Sequence, residues 1–131
     1  MKFASYLYNQ SDKPRFGFKR DKYIVDVVKC ANWLNEKKGD AIFLDIPSSL
    51  KECLKNWSIN FELLNKLDAL ITNEDIIETI KIDKPIANLE SDLELLAPVP
   101  NPQSFRDFYA FEQHVRSARK LRGLDMHPDW F

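Results

Sequence analysis

Glycine is scarce in this chain, which has only Gly17, Gly39 and Gly123 among its 131 residues. That scarcity leaves no Gly-rich phosphate loop and no nucleophile elbow, both of which need glycines close together. Cysteine is rarer still. Cys30 and Cys53 lie 23 positions apart with no Cys-x-x-Cys, so zinc-ligand spacing is absent and reduced thiols in the cytoplasm are expected. No apolar run approaches the ~18 residues of a membrane span, and Met1 to Phe16 lacks the apolar stretch of a signal peptide. A net charge of −1 provides no electrostatic footprint for nucleic acid. A soluble protein with neither nucleic acid nor membrane as partner is the expectation.

The length suits one domain, or one domain and the beginning of another. Such a chain buries roughly two-thirds of its unfolded surface and needs no staple. Charge is unevenly spread. Residues 1–39 hold nine Lys/Arg against four Asp/Glu, residues 40–97 five against twelve, and residues 98–131 five against four. The basic quartet Arg116, Arg119, Lys120 and Arg122 reads as a solvated helix face or as a rim that attracts carboxylate substrates.

Lys2 to Tyr8 alternates, Asn9 to Lys13 supplies turn formers, and Arg15 to Arg20 alternates again around Gly17, which predicts a hairpin. Asp21-Lys22 is a second turn and Tyr23-Ile24-Val25 a third strand, completing a small meander. Asp26 is placed to cap a helix with Val27, Cys30, Ala31 and Leu34 at helical spacing, ended by Gly39. Pro47 opens a loop. Ser49-Leu50-Lys51-Glu52 matches a capping box, so a helix with the stripe Leu50, Cys53, Leu54 and Trp57 is expected, followed by a second with Phe61, Leu64, Leu67 and Ile71. Ile76 to Ile82 is ambiguous and reads as helix, then strand.

Leu89 to Leu96 reads as a strand with Glu90, Asp92 and Glu94 on one face and Leu93 and Leu95 on the other. Three carboxylates at alternate positions could suggest a metal site. A solvated strand face is the favoured reading, because hard-cation ligands converge from several elements instead of fanning out along one. Pro98, Pro100 and Pro102 then make 98–103 an extended linker and the expected domain boundary.

Beyond the linker, Ser104 to Arg116 brings together an acid, a tyrosine and a histidine: Asp107, Tyr109 and His114. These are a hard-cation ligand, a hydrogen-bonding phenol and a proton-transfer group set among aromatic residues that could exclude water. Two local structures compete. If Ser104-x-x-Asp107 is a capping box, a helix runs from Phe105 to Gly123, and Tyr109 points about 160° away from Asp107. If Asp107-Phe108-Tyr109 is extended, Asp107 and Tyr109 share one side and the helix starts near Tyr109 or Ala110. Read alone, a histidine on an aromatic-rich helix is more often structural than catalytic, and an aspartate is usually a cap. His127, in Asp125-Met126-His127-Pro128, reads as an exposed loop residue.

The pattern Asp107-Phe108-Tyr109-x-x-x-Gln113-His114, entered through Leu95-Leu96-Ala97-Pro98-Val99-Pro100, resembles the fumarylacetoacetate hydrolase family. The opening Met1 to Tyr6 and Pro47-Ser48-Ser49-Leu50 are similar to bacterial members with a small N-terminal domain, while the middle of the chain is generic. The resemblance implies a metal-dependent enzyme of the cytoplasm that cleaves carbon–carbon bonds in acylpyruvates and related diketo acids. Isomerases and decarboxylases occur in the same family. It favours the extended arrangement, with Asp107 as a ligand of Mg2+ or Ca2+, Tyr109 on the bound substrate and His114 as the general base that deprotonates the attacking water. The family's Glu-x-Glu pair and further Asp are not in this sequence, and Glu112, two positions from His114, faces elsewhere on a helix. The expectation is therefore an α+β fold. Residues 1–97 form an N-terminal domain, a small antiparallel sheet with covering helices, and residues 98–131 form a Pro-rich linker and the first helical segment of a truncated catalytic domain, inactive alone. A homodimer is the assembly the resemblance suggests, and a stand-alone, non-catalytic binding or assembly module is the rival reading.

Overall fold

Two alternating segments at the N-terminus pair as their pattern predicts. β1 (Phe3–Leu7) and β2 (Arg15–Arg20) form an antiparallel hairpin in which Phe3 lies opposite Phe18 and Tyr6 opposite Arg15. Asn9 and Gln10 turn the chain at φ 52° and 57°, closed by the Ser11 amide donating to the Tyr8 carbonyl. Positive φ at both central residues matches the right-handed twist of paired strands. Asp21, at φ 49°, makes the next turn, and β3 (Tyr23–Asp26) returns along β2. The computed structural model describes residues 1–39, 41–72, 85–106 and 111–128. Within them the fold is α+β, a curled five-stranded antiparallel sheet with covering helices. Ile76 to Ile82 lies outside the described residues.

Asp26 ends β3 and caps α1 (Val27–Lys38), and Gly39 closes that helix at φ 69° with its amide on the Asn35 carbonyl. Ser49 caps α2 (Leu50–Lys55) through the Glu52 amide at 3.2 Å, while the Glu52 carboxylate pairs with Lys55. α3 (Trp57–Thr72) buries Leu64, Leu67 and Ile71. The expected stripe through Leu54 and Trp57 does not form. Asn56 leaves helical geometry (φ −139°, ψ 64°), so α2 and α3 are out of phase, Cys53 is buried and Leu54 is 53% exposed. The buried Asn60 side chain donates to the Cys53 carbonyl, satisfying an acceptor orphaned by the break. Trp57 instead stacks on Phe61 at 4.8 Å and meets Phe3 edge-on.

The 89–96 segment departs furthest from expectation. β4 (Ala87–Leu89) pairs with β3 at one edge of the sheet and β5 (Glu94–Leu95) with β1 at the other, in the order β4-β3-β2-β1-β5. Only a 3-10 turn at Glu90–Asp92 and Leu93 separate them. In a flat sheet those edges would stand about 19 Å apart, four strand spacings. Five steps that include a 3-10 turn reach only roughly 13 Å, so the sheet curls until its edges approach. The carboxylate row is broken up in consequence. Glu90 pairs with Lys19, and Asp92 accepts from the Ser91 hydroxyl at 3.1 Å.

The two faces of the curled sheet do different work. Phe3, Phe16, Phe18 and Val25 share one face by register, and they pack with Cys30, Leu34, Cys53, Leu64 and Leu67 into the main core. Arg20 ties this layer to α3 through Nε to Asp68 Oδ1 at 2.8 Å. Tyr6, Arg15, Gly17, Ile24 and Asp26 share the other face, where Tyr6 and Ile24 are almost wholly buried. A Cβ on Gly17 would stand 2.6 Å from both Ile24 Cγ2 and the Val25 carbonyl oxygen and 3.2 Å from the Tyr6 ring. Glycine is required there for close approach. Gly17→Ala is expected to destabilise the protein by about 1–3 kcal/mol through overpacking, read as a lower urea midpoint at unchanged slope; an unchanged midpoint would contradict the packing described.

Candidate functional site

The segment carrying the suspected acid, tyrosine and histidine leaves the sheet at β5. The Ser5 hydroxyl donates to the Pro98 carbonyl at 2.7 Å, and a groove of about 330 Å³ opens between Lys51 and Leu54 of α2 and Val99 and Pro102. Residues 96–106 hold no regular helix or strand, so no helix begins at Phe105. Asp107 and Tyr109 lie outside the described residues. α4 (Glu112–Leu121) begins two residues later than Ala110, with Phe111 as its N-cap and no side-chain cap bond. It ends in a Schellman arrangement, with Gly123 at φ 70° and the Leu124 and Gly123 amides on the Arg119 and Lys120 carbonyls. That is the helix stop Gly123 predicts.

His114 stands exposed in the first turn of α4. Glu112 in the same turn holds Arg116 at 2.5 Å, an i,i+4 pair, so its carboxylate is engaged along the helix. Arg116, Lys120 and Arg122 are exposed, and Arg119 donates to the Asp125 carbonyl. His127 is exposed, as expected. Large apolar residues flank the motif without cover: Phe105 is 89% exposed, Phe111 82% and Leu121 89%.

A second polar constellation, missed in the sequence, occupies the inner face of the sheet. The Tyr6 hydroxyl donates to Asp26 Oδ2 at 2.7 Å, Arg15 Nε reaches the same oxygen at 2.5 Å, and Asp26 Oδ1 accepts from the Lys29 amide at 2.9 Å. Burial, reinforced by the Asp26 charge, pushes the Tyr6 phenol far above the usual tyrosine range. It is a fixed donor and no acid–base catalyst near neutrality. The hydrogen bond to Asp26 likewise raises Arg15. Beside this network a cleft of about 320 Å³ is lined by Tyr8, Lys13, Pro14, Arg15, Val28 and Ser48, among others. The signal for it was faint: Asp26 was legible as a cap, but nothing local shows that its second oxygen meets Tyr6 and Arg15, 20 and 11 residues away.

Among the described residues no three His, Cys, Asp or Glu side chains are grouped to hold a metal ion, and no helix is long and apolar enough to cross a membrane. No family model, curated protein or solved structure matches the chain.

Both cysteines are free thiols within the main core. Burial, with smaller contributions from nearby carboxylates, pushes Cys30 up to about 12 and Cys53 up to about 11. Because the thiolate is the nucleophile, neither is suited to covalent catalysis. Native protein at pH 8 is expected to react with a thiol-specific disulfide reagent far more slowly than urea-unfolded protein, which should release two equivalents at once. Fast stoichiometric labelling of the folded protein would contradict this burial.

Proposed function

We propose that the chain is the N-terminal part of a cytoplasmic, metal-dependent hydrolase of the fumarylacetoacetate hydrolase type, cleaving carbon–carbon bonds in acylpyruvate-like diketo acids. On this reading residues 1–97 are its N-terminal domain and 98–131 open its catalytic domain. The observation that carries it is the state of the motif segment. His114 is presented to solvent at the start of a helix, and Phe105, Phe111 and Leu121 of the same stretch of chain are large apolar residues left exposed. A catalytic unit completed by further sequence, or by a second copy in a homodimer, would cover them.

Asp107 offers one carboxylate toward Mg2+ or Ca2+, whereas a hard cation takes about six oxygens. The described residues assemble no set that fits such an ion; on this reading the remaining ligands lie outside this chain. In the proposed site Tyr109 orients the substrate by hydrogen bonding, and the His114 imidazole accepts a proton from the water that attacks the carbonyl carbon. An isomerase or decarboxylase of the same family would share this metal site. A non-catalytic binding or assembly module is favoured by one observation, namely that the sheet and its helices already bury a core of their own.

The test is loss of acylpyruvate absorbance with added magnesium, measured on the 131-residue chain and on a polypeptide that continues through a Glu-x-Glu segment. No turnover is expected from the former and turnover from the latter. His114→Ala in the longer protein should lower the rate by about 10²–10⁴-fold, the usual contribution of a positioned base. Turnover by the short chain, or indifference to His114→Ala, would overturn these assignments.

A further inference from the structure

Among the described residues the cleft beside the Asp26 network is lined by residues between Tyr8 and Ser48, and the inference drawn from it does not rest on the function proposed above. Three separate stretches build it: the loop after β1, the start of β2 and the first turn of α1, with Ser48 on its rim. Its volume, about 320 Å³, is at the small end of ligand pockets, which begin at roughly 300 Å³. It suits a molecule about the size of one ring and its substituents.

The charge in this cleft is arranged, not incidental. Asp26 brings one negative charge, but its oxygens are taken by Tyr6, Arg15 and the Lys29 amide. Lys13 and Arg15 bring two positive charges to the lining. Arg15 turns Nε to Asp26 and keeps about one-third of its side chain exposed, and a guanidinium has five donors, more than Asp26 and Tyr6 together occupy. It is thereby held in one orientation before any ligand arrives, and a planar, pre-set fork is what bidentate carboxylate recognition requires. Lys29 adds a third cation nearby. Its ammonium lies 5.6 Å from the centre of the Tyr8 ring and donates to the Pro85 carbonyl at 3.2 Å. Burial and the neighbouring Arg15 charge lower its pKa, with Asp26 partly offsetting them. An anion placed in the cleft would relieve that repulsion. Tyr8, Pro14, Phe16 and Val28 add apolar wall, and Ser11 and Ser48 add hydroxyls.

We propose that this cleft binds a small carboxylate with a flat apolar body, its carboxyl group held by Arg15 and Lys13 and its body lying against Tyr8, Pro14 and Val28. The hydroxyls of Ser11 and Ser48, on the lining, supply further polar contacts at the rim.

The experiment is a titration of the isotope-labelled chain with benzoate, benzamide and inorganic phosphate in parallel at constant ionic strength, followed by amide chemical shifts. Saturable shifts are expected with benzoate at Ser11, Lys13, Arg15, Val28 and Ser48, at least tenfold tighter than with benzamide or phosphate. Lys13→Gln, at an exposed residue outside the Asp26 network, should keep the spectrum of the folded protein and weaken benzoate about two- to fivefold, as loss of one exposed ion pair does. Arg15→Lys, checked for an unchanged fold by the same spectra, should remove most of the preference for benzoate over benzamide. Non-saturating shifts, equal binding of benzoate and benzamide, or phosphate as tight as benzoate would each overturn the proposal.

Discussion

Asp26 ends β3 with its side chain 2% exposed, and both carboxylate oxygens are engaged in different layers of the fold. Oδ2 gathers Tyr6 from β1 and Arg15 from β2, and Oδ1 caps α1. A buried carboxylate is costly unless paired and fully hydrogen-bonded, so these partners must be in place together. The polar bonding of the sheet's inner face and the start of the helix that covers its other face therefore depend on one residue. Gly17, directly across from Asp26 in register, leaves the space in which the Tyr6 ring can approach.

The curl of the sheet and this clamp are two views of the same constraint. The 3-10 turn at Glu90–Asp92 carries the chain from one sheet edge to the other in a few residues, and such a short crossing closes only if the inner face is narrow. Tyr6 and Ile24 fill that narrow face while the Asp26 network satisfies its polar groups. The outer face follows a simpler rule, alternate apolar residues against helices α1, α2 and α3. Arg15 belongs to both the clamp and the cleft beside it, which links a stabilising contact to a proposed binding role.

Local signals carried much of the fold in the sequence. Alternation placed β1 and β2, turn formers placed Asp21, and the caps Asp26 and Ser49 and the stops Gly39 and Gly123 lie where helix chemistry puts them. What was not legible is long-range. The Leu89–Leu96 segment has the alternation of one strand, yet sheet closure splits it between two edges. The Leu54–Trp57 stripe has the period of one helix, yet Asn56 breaks the phase. Tyr6, Arg15 and Asp26 converge only after three strands have paired, so no spacing rule announces them. Of the suspected catalytic residues, His114 is exposed at the start of α4, while Asp107 and Tyr109 fall outside the described residues. The functional reading rests on the motif and on the exposed apolar residues of the same stretch of chain.

The dependence of the fold on Asp26 is tested most directly by a double-mutant cycle of Tyr6→Phe and Asp26→Ala, read as unfolding free energies in urea. Loss of the α1 cap enters both legs of the cycle and cancels. Asp26→Ala alone should cost about 3 kcal/mol, since removing one partner strands the other buried groups. Tyr6→Phe should cost about 1 kcal/mol, with a coupling of about 1 kcal/mol or more between the two. Additivity within about 0.3 kcal/mol, with a small effect of Asp26→Ala, would contradict the central place given to this carboxylate.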